Sequence, residues 1–229
     1  MNRKRVCFSE LAYVLGMIIL ALGTALMERA DFGMSMVVAP AYLLHLKISR
    51  VWPFFSFGMA EYVFQAFLII LLSLVMGRFK KGYLFSFVTA VIYGLTLDAV
   101  MAAVALIPGF GLADRILSYA LGLFFCSLGV AFLFHTYIAP EAYELFVKEL
   151  AARHGWPIPR VKTIYDCVSC GIGVILSFAF FGFGHFAGVK LGTIFCALIN
   201  GTLIGFISRW LEKRLDFRDG WPMRRFFGE

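Results

Sequence analysis

Charge is what this chain has least of. Asp, Glu, Lys and Arg make up 15% of its 229 residues, against about 25% in an ordinary soluble domain. Hydrophobic residues make up 61% and the mean hydropathy is +0.85. That composition excludes a soluble globular domain and reads as an integral membrane protein. Cysteine is sparse as well: the five, at positions 7, 126, 167, 170 and 196, sit mostly in apolar runs and set out no disulfide framework. There is no phosphate-binding glycine loop, no zinc motif and no hydrolase nucleophile elbow, so nothing positive supports an enzyme, and neither a cofactor nor a metal is expected. The first apolar run is followed by no small-residue cleavage site and reads as a retained span. A formal charge of +7 invites a nucleic-acid reading. The basic residues, however, fall in short clusters at segment ends, which is a membrane-topology pattern, so nucleic acid is set aside.

What is present is apolar length. Runs long enough to cross a bilayer lie at about 8–27, 57–76, 83–107, 116–134, 163–186 and 191–210. Two shorter segments separate them. Residues 34–46 would cover only about two thirds of a bilayer core of about 30 Å, so a re-entrant or tilted half-helix is expected. Gly33 would precede it, Ser35 would cap it, Pro40 would kink its middle and Lys47 would suit its C-terminal end. A dipping loop would aim free N–H groups at the midplane, although a surface helix with a plain cap fits equally well. Residues 140–154 place Leu145, Phe146 and Leu150 among Glu141, Glu144, Lys148, Glu149 and Arg153, an amphipathic pattern read as interfacial or surface-lying. Trp156-Pro157-Ile158-Pro159 reads as a rigid linker and Pro108-Gly109-Phe110-Gly111 as a turn.

The two halves resemble each other. Leu15-Gly16 and Leu22-Gly23 recur as Leu121-Gly122 and Leu128-Gly129 at an offset of 106; Glu61 matches Asp166 at 105; Tyr93-Gly94 matches Asn200-Gly201, and Ser86 matches Thr193, at 107. Three spans per half make the second half run opposite to the first. With the N-terminus inside, sixteen of the 21 basic residues lie on the cytoplasmic side and five (Arg29, Lys47, Arg50, Arg115, Lys190) outside, which favours both termini in the cytoplasm. The expected fold is an all-α membrane protein of six transmembrane helices. It forms an inverted 3+3 repeat with a short re-entrant or interfacial helix in each half, an architecture of transporters and channels. It would form a single domain, with repeat one at about 8–107, repeat two at about 115–211 and a short tail at 212–229.

Intramembrane acids are the candidate chemistry, because an ionised carboxylate at the bilayer centre costs roughly 2.5–3.5 kcal/mol and needs a partner, water or a proton. Glu61 and Asp166 read as a paired cation, proton or polar-solute site, or as helix-end acids that snorkel to water. Lys162 is one turn from Asp166 and could pair with it. Tyr62 and Tyr165 flank the acids and could donate hydrogen bonds, or could be ordinary interface aromatics. Asp98 and Asn200 lie deep in spans three and six, and Gln65 shares the Glu61 face. Cys167 and Cys170 have redox or metal spacing but read as small packing residues on a membrane helix.

The Leu-Gly pattern near the start of each half, Ala30-Asp31-Phe32-Gly33-Met34-Ser35, and Lys162-Thr163-Ile164-Tyr165-Asp166 resemble the YitT/YczE-like family of bacterial membrane proteins. The resemblance covers most of the chain. It implies a multi-pass protein of the bacterial inner membrane and suggests transport, without assigning a substrate or any binding residue. The expected function is therefore a transporter or channel-like carrier for a small polar or ionic solute. The rivals are a membrane binding subunit energised by a separate complex and a non-transporting scaffold. The expected partners are the solute and the lipid bilayer; a homo-oligomer is compatible with the sequence.

Overall fold

Apolar runs become helices because a bilayer leaves every backbone polar group to be satisfied within its own segment. A computed structural model of the chain describes residues 5–108, 111–184 and 186–220; Gly109, Phe110, Arg3, Lys4, Arg224 and Arg225, used above for a turn and for topology, lie outside the described residues. Among the described residues six helices are long and apolar enough to cross a membrane: α1 (Ser9–Ala30), α3 (Phe57–Met76), α4 (Gly82–Ala105), α5 (Leu112–Phe134), α7 (Ile158–Phe181) and α8 (Leu191–Arg214). Two shorter ones interrupt the series, α2 (Ala39–Ile48) and α6 (Ala142–His154). Strands β1 (Arg5–Phe8) and β2 (Leu215–Arg218) pair in parallel and tie the two ends of the described chain to one end of the bundle.

Several boundaries have local causes. Ser56 caps α3, its Oγ accepting from the Met59 N–H at 3.0 Å. Asp31 closes α1 in the left-handed region, φ 56°, a conformation Asp tolerates better than most residues. The proline-rich stretch at 156–159 is not a linker. Pro157 is the N-cap of α7 and Pro159 lies in its first turn, where the missing N–H would have no helical partner anyway. Span five thus starts about five residues earlier than expected, and Lys162 belongs to the helix rather than to a basic loop.

The repeat is visible in how the halves touch. A Cβ on Gly16 would meet Gly129 O at 3.0 Å, and one on Gly23 would meet Gly122 O at 2.8 Å. Under the 106-residue offset, Gly16 corresponds to Gly122 and Gly23 to Gly129. Each glycine therefore packs on the counterpart of the other, which is the signature of a two-fold axis. The pairing also makes α1 and α5 antiparallel, so the two halves are inverted. The repeat also shows inside each half: Gly58 packs on Gly94, and their counterparts Thr163 and Gly201 pack on each other. Small residues at these crossings let backbones approach closely, the usual means of holding membrane helices together. Outward faces carry exposed Leu74, Ile175, Leu198 and Phe206, as suits contact with lipid.

The short helices interlock the halves, since α2 and α6 each pack against both α3 and α7. At the C-terminal end of α2, Lys47 donates to Phe180 O at the end of α7. At that of α6, Arg153 donates to Val75 O at the end of α3. These are opposite ends of the bundle, so α2 and α6 point their N-termini at each other from opposite sides. At about 1.5 Å per residue they are roughly 15 and 20 Å long, together about one bilayer core of about 30 Å. Two expectations are corrected here. Helix α2 begins at Ala39 with no side-chain cap, so Ser35 lies in the turn before it and Pro40 sits in its first turn without kinking its middle. The 140–154 segment is not surface-lying: Glu141, Ala142, Tyr143, Glu144 and Val147 are buried, because its N-terminal turns face the polar interior.

Candidate functional site

The half-helices meet at a polar cluster inside the apolar bundle. Glu61 on α3, Glu141 and Glu144 at the start of α6, and Lys162 and Asp166 on α7 are 0–3% exposed. Lys162 Nζ donates to Glu144 Oε1 at 2.9 Å and lies 3.0 Å from Asp166 Oδ1. Asp166 Oδ2 accepts from Asn200 Nδ2 on α8 at 3.3 Å, and Asn200 Oδ1 accepts from Ser127 Oγ on α5 at 2.8 Å. On the other side, Glu61 Oε2 accepts from Tyr143 OH at 2.9 Å and from Gln65 Nε2 at 3.3 Å. Gln65 ties Glu61 to the start of α6: its Nε2 also donates to Glu141 Oε2 at 3.2 Å, and its Oε1 accepts from the Ala142 N–H at 3.0 Å. Glu61 and Asp166, though in different halves, thus both reach the α6 N-terminus, Glu61 through Gln65 and Tyr143 and Asp166 through Lys162 and Glu144.

Next to the cluster is a cavity of about 20 Å³, lined by Thr24, Ser35, Val38, Tyr93, Glu141, Glu144, Lys162 and Asn200 among others. Thr24 and Tyr93 exchange a hydrogen bond of 2.9 Å across it. Among the described residues four buried carboxylate oxygens keep no hydrogen-bond partner: Oε1 of Glu61, Oε1 of Glu141, Oε2 of Glu144 and Oδ1 of Asp166, of which only the last has a cation beside it, Lys162 Nζ at 3.0 Å. Burial, with Glu61 and Glu144 close by, pushes the Glu141 carboxyl well above the usual carboxylate range. Glu141 and Glu144 stand at the N-cap and in the first turn of α6, where the positive end of the helix dipole favours negative charge.

The other residues named from sequence are distributed as follows. Ser35 lines the cavity from the turn before α2. Gly33 has φ +112° and packs closely on Thr193, where a Cβ would run into Oγ1, and it faces a second, outer cavity. Tyr165 places its ring beside Lys162 Nζ, 5.8 Å from the centroid, and packs on Phe146. Tyr62 instead packs against Gly94 at the α3–α4 crossing and gives the acids no hydrogen bond. Asp98 is not in the cluster. Its carboxylate accepts from Ser56 Oγ at 2.6 Å and from the Gly58 N–H at 2.8 Å, holding the first turn of α3. Cys167 is exposed, Cys170 is buried and both are free thiols. The sequence reading missed Glu141, Glu144 and Tyr143 as site residues. A signal for them existed, since the 106-residue offset carries Ser35 onto Glu141 and so maps the first half-helix onto the second.

Six apolar helices, an inverted repeat and a charged interior define a multi-pass α-helical membrane protein. Over residues 7–209 the chain matches, and belongs to, a family described as of unknown function, DUF6198. No curated protein and no solved structure matches it.

Proposed function

We propose that this protein is a membrane transporter or channel-like carrier for a small polar or ionic solute, with its central site at the cluster of Glu61, Glu141, Glu144, Lys162 and Asp166. One observation carries the reading. Four carboxylates and one lysine are buried in the interior where two half-helices from opposite ends meet. Such burial is expensive, and apolar residues of similar volume would often stabilise a bundle better, by about 1–4 kcal/mol. A scaffold has no use for that expense; a carrier does, because a group held away from water and imperfectly paired is ready for a solute or a proton. Inverted repeats with interrupted helices at the midplane support the same reading, as does the resemblance to YitT/YczE-like proteins. That resemblance, with the bias of basic residues, supports a bacterial inner-membrane protein with both termini in the cytoplasm. Removing Lys162 from the count, since it is buried, leaves the bias intact.

The test is a thermal-shift screen of the purified protein across amino acids, inorganic anions, cations and vitamins, followed by uptake of the stabilising solute into proteoliposomes. Glu61→Gln and Asp166→Asn are expected to fold and to lose uptake, while Asp98→Asn keeps it. No stabilising solute in the panel, or wild-type uptake by both cluster variants, refutes the proposal.

A further inference from the structure

The charge of the cluster limits what it can hold. Even with Glu141 protonated, Lys162 leaves two negative charges uncompensated among these buried residues, and three once Glu141 ionises. The N-termini of α2 and α6 add about half a positive charge each, which offsets roughly one. An anion would deepen the deficit, and a neutral solute would leave it. Two residues that line the cavity, Glu141 and Glu144, each keep one buried oxygen without a partner, and Glu61, tied to Glu141 through Gln65, keeps another. These atoms are acceptors, and the groups that would satisfy them are donors.

Size narrows the class further. A cavity needs about 10–15 Å³ to hold one water, and this one offers about 20 Å³. It takes one water-sized particle and excludes a metabolite in this conformation. Among the described residues no three of His, Cys, Asp and Glu converge as a metal-holding set, so the free oxygens act as separate hydrogen-bond acceptors rather than as a coordination shell.

A route also exists. A vestibule of about 250 Å³ opens at the end of the bundle where α1 ends. It is lined by Glu28, Asp31, Gly33, Tyr42 and Lys190, with Met27 and Met34 at its floor. Met34 adjoins Ser35, and Met27 lies three residues from Thr24, about one helical turn; Ser35 and Thr24 line the cavity. Met27 and Met34, 0% and 2% exposed, therefore stand between the vestibule and the acids, and unbranched thioether side chains can be displaced without disturbing the backbone.

Resting on the transport reading above, we infer that the cavity is the binding site of a water-sized cation that brings its own hydrogen-bond donors, ammonium or hydronium, accepted by Glu141 and Glu144 with Glu61 tied to Glu141 through Gln65. The vestibule supplies the cation once Met27 and Met34 swing aside.

Two arms of one experiment test this with the full-length protein. In detergent at constant ionic strength set by choline chloride, ammonium chloride is expected to raise the thermal midpoint, and sodium chloride at the same concentration is not. In proteoliposomes free of ammonium, a pH-sensitive dye reports proton flux under an imposed pH gradient. Ammonium stabilisation or proton flux supports the inference when Glu141→Gln and Glu144→Gln each reduce it at least tenfold. Glu141→Gln carries the test if Glu144→Gln fails to fold, because it leaves both partners of Lys162 in place. Equal stabilisation by sodium, or signals unchanged in Glu141→Gln, overturns the inference. So does a carried anion or neutral solute whose uptake is independent of pH and ammonium, an outcome that leaves the transport reading standing.

Discussion

Removing Lys162 separates an interior built around charge from one that merely tolerates it. Lys162 is 0% exposed, with one carboxylate oxygen at 2.9 Å and another at 3.0 Å. In Lys162→Met the side-chain volume stays similar, so little of the effect comes from a cavity. What remains are Glu144 and Asp166, buried with their only cation gone. Breaking a buried ion pair by deleting one partner costs roughly 3–5 kcal/mol. At about 2–4 °C per kcal/mol for a chain of this size, the thermal midpoint should fall by about 6–20 °C. The combined variant Lys162→Met, Glu144→Gln, Asp166→Asn carries no orphaned charge and should recover most of that loss. Thermal unfolding in detergent, followed by tryptophan fluorescence and by size exclusion, measures all three proteins. A single variant within about 1 kcal/mol of wild type, or a triple variant no better than the single, would mean that the Lys162 ion pairs do not hold the cluster.

Two further expectations concern the crossing and the acids. Gly23→Ala should destabilise by about 1–3 kcal/mol, because its Cβ would stand 2.6 Å from Cys126 N and 2.8 Å from Gly122 O, backbone atoms that cannot turn away. Gly171→Ala, where nothing lies within 4 Å of the added carbon, should be neutral or stabilise by up to about 1 kcal/mol; equal effects in a urea or thermal series would refute the close crossing. The Glu141 carboxyl, raised by burial and then by Glu61 and Glu144, keeps a proton that the unfolded chain releases near pH 4.3. The folded state thus binds more protons above that point, so stability falls as pH rises from about 4.3 toward the raised folded value. Glu61, Glu144 and Lys162 face the same carboxyl, with Gln65 and Tyr143 packed against the group. Thermal midpoints between pH 5 and 8 should decline more steeply in wild type than in Glu141→Gln, and identical slopes would remove Glu141 as the source.

Much of the architecture could be read from the chain alone, because its signals are local. Twenty-odd apolar residues make a membrane helix whatever surrounds them, and six such runs lie where the helices are. The Leu-Gly repeats at an offset of 106 gave the repeat and three spans per half its inversion, and Gly16, Gly23, Gly122 and Gly129 pack in that relation. Glu61 and Asp166 stood out because a carboxylate in an apolar run is conspicuous. What the chain alone left undecided is where each polar side chain points. A thirteen-residue amphipathic helix has the same pattern at a membrane surface as around a polar interior, so Glu141 and Glu144 read as solvated until α6 was seen between α3 and α7. Prolines 157 and 159 look like a linker but open a helix, which took Lys162 from a loop into the core. Asp98 looked like a third member of the site, yet its partner is the helix start at Ser56 and Gly58, some forty residues earlier. Hydropathy fixed which segments are helical, since it depends only on each residue's own transfer energy. The charged centre depended on tertiary structure, since pairing energy belongs to atoms brought within about 3 Å by segments far apart in the chain.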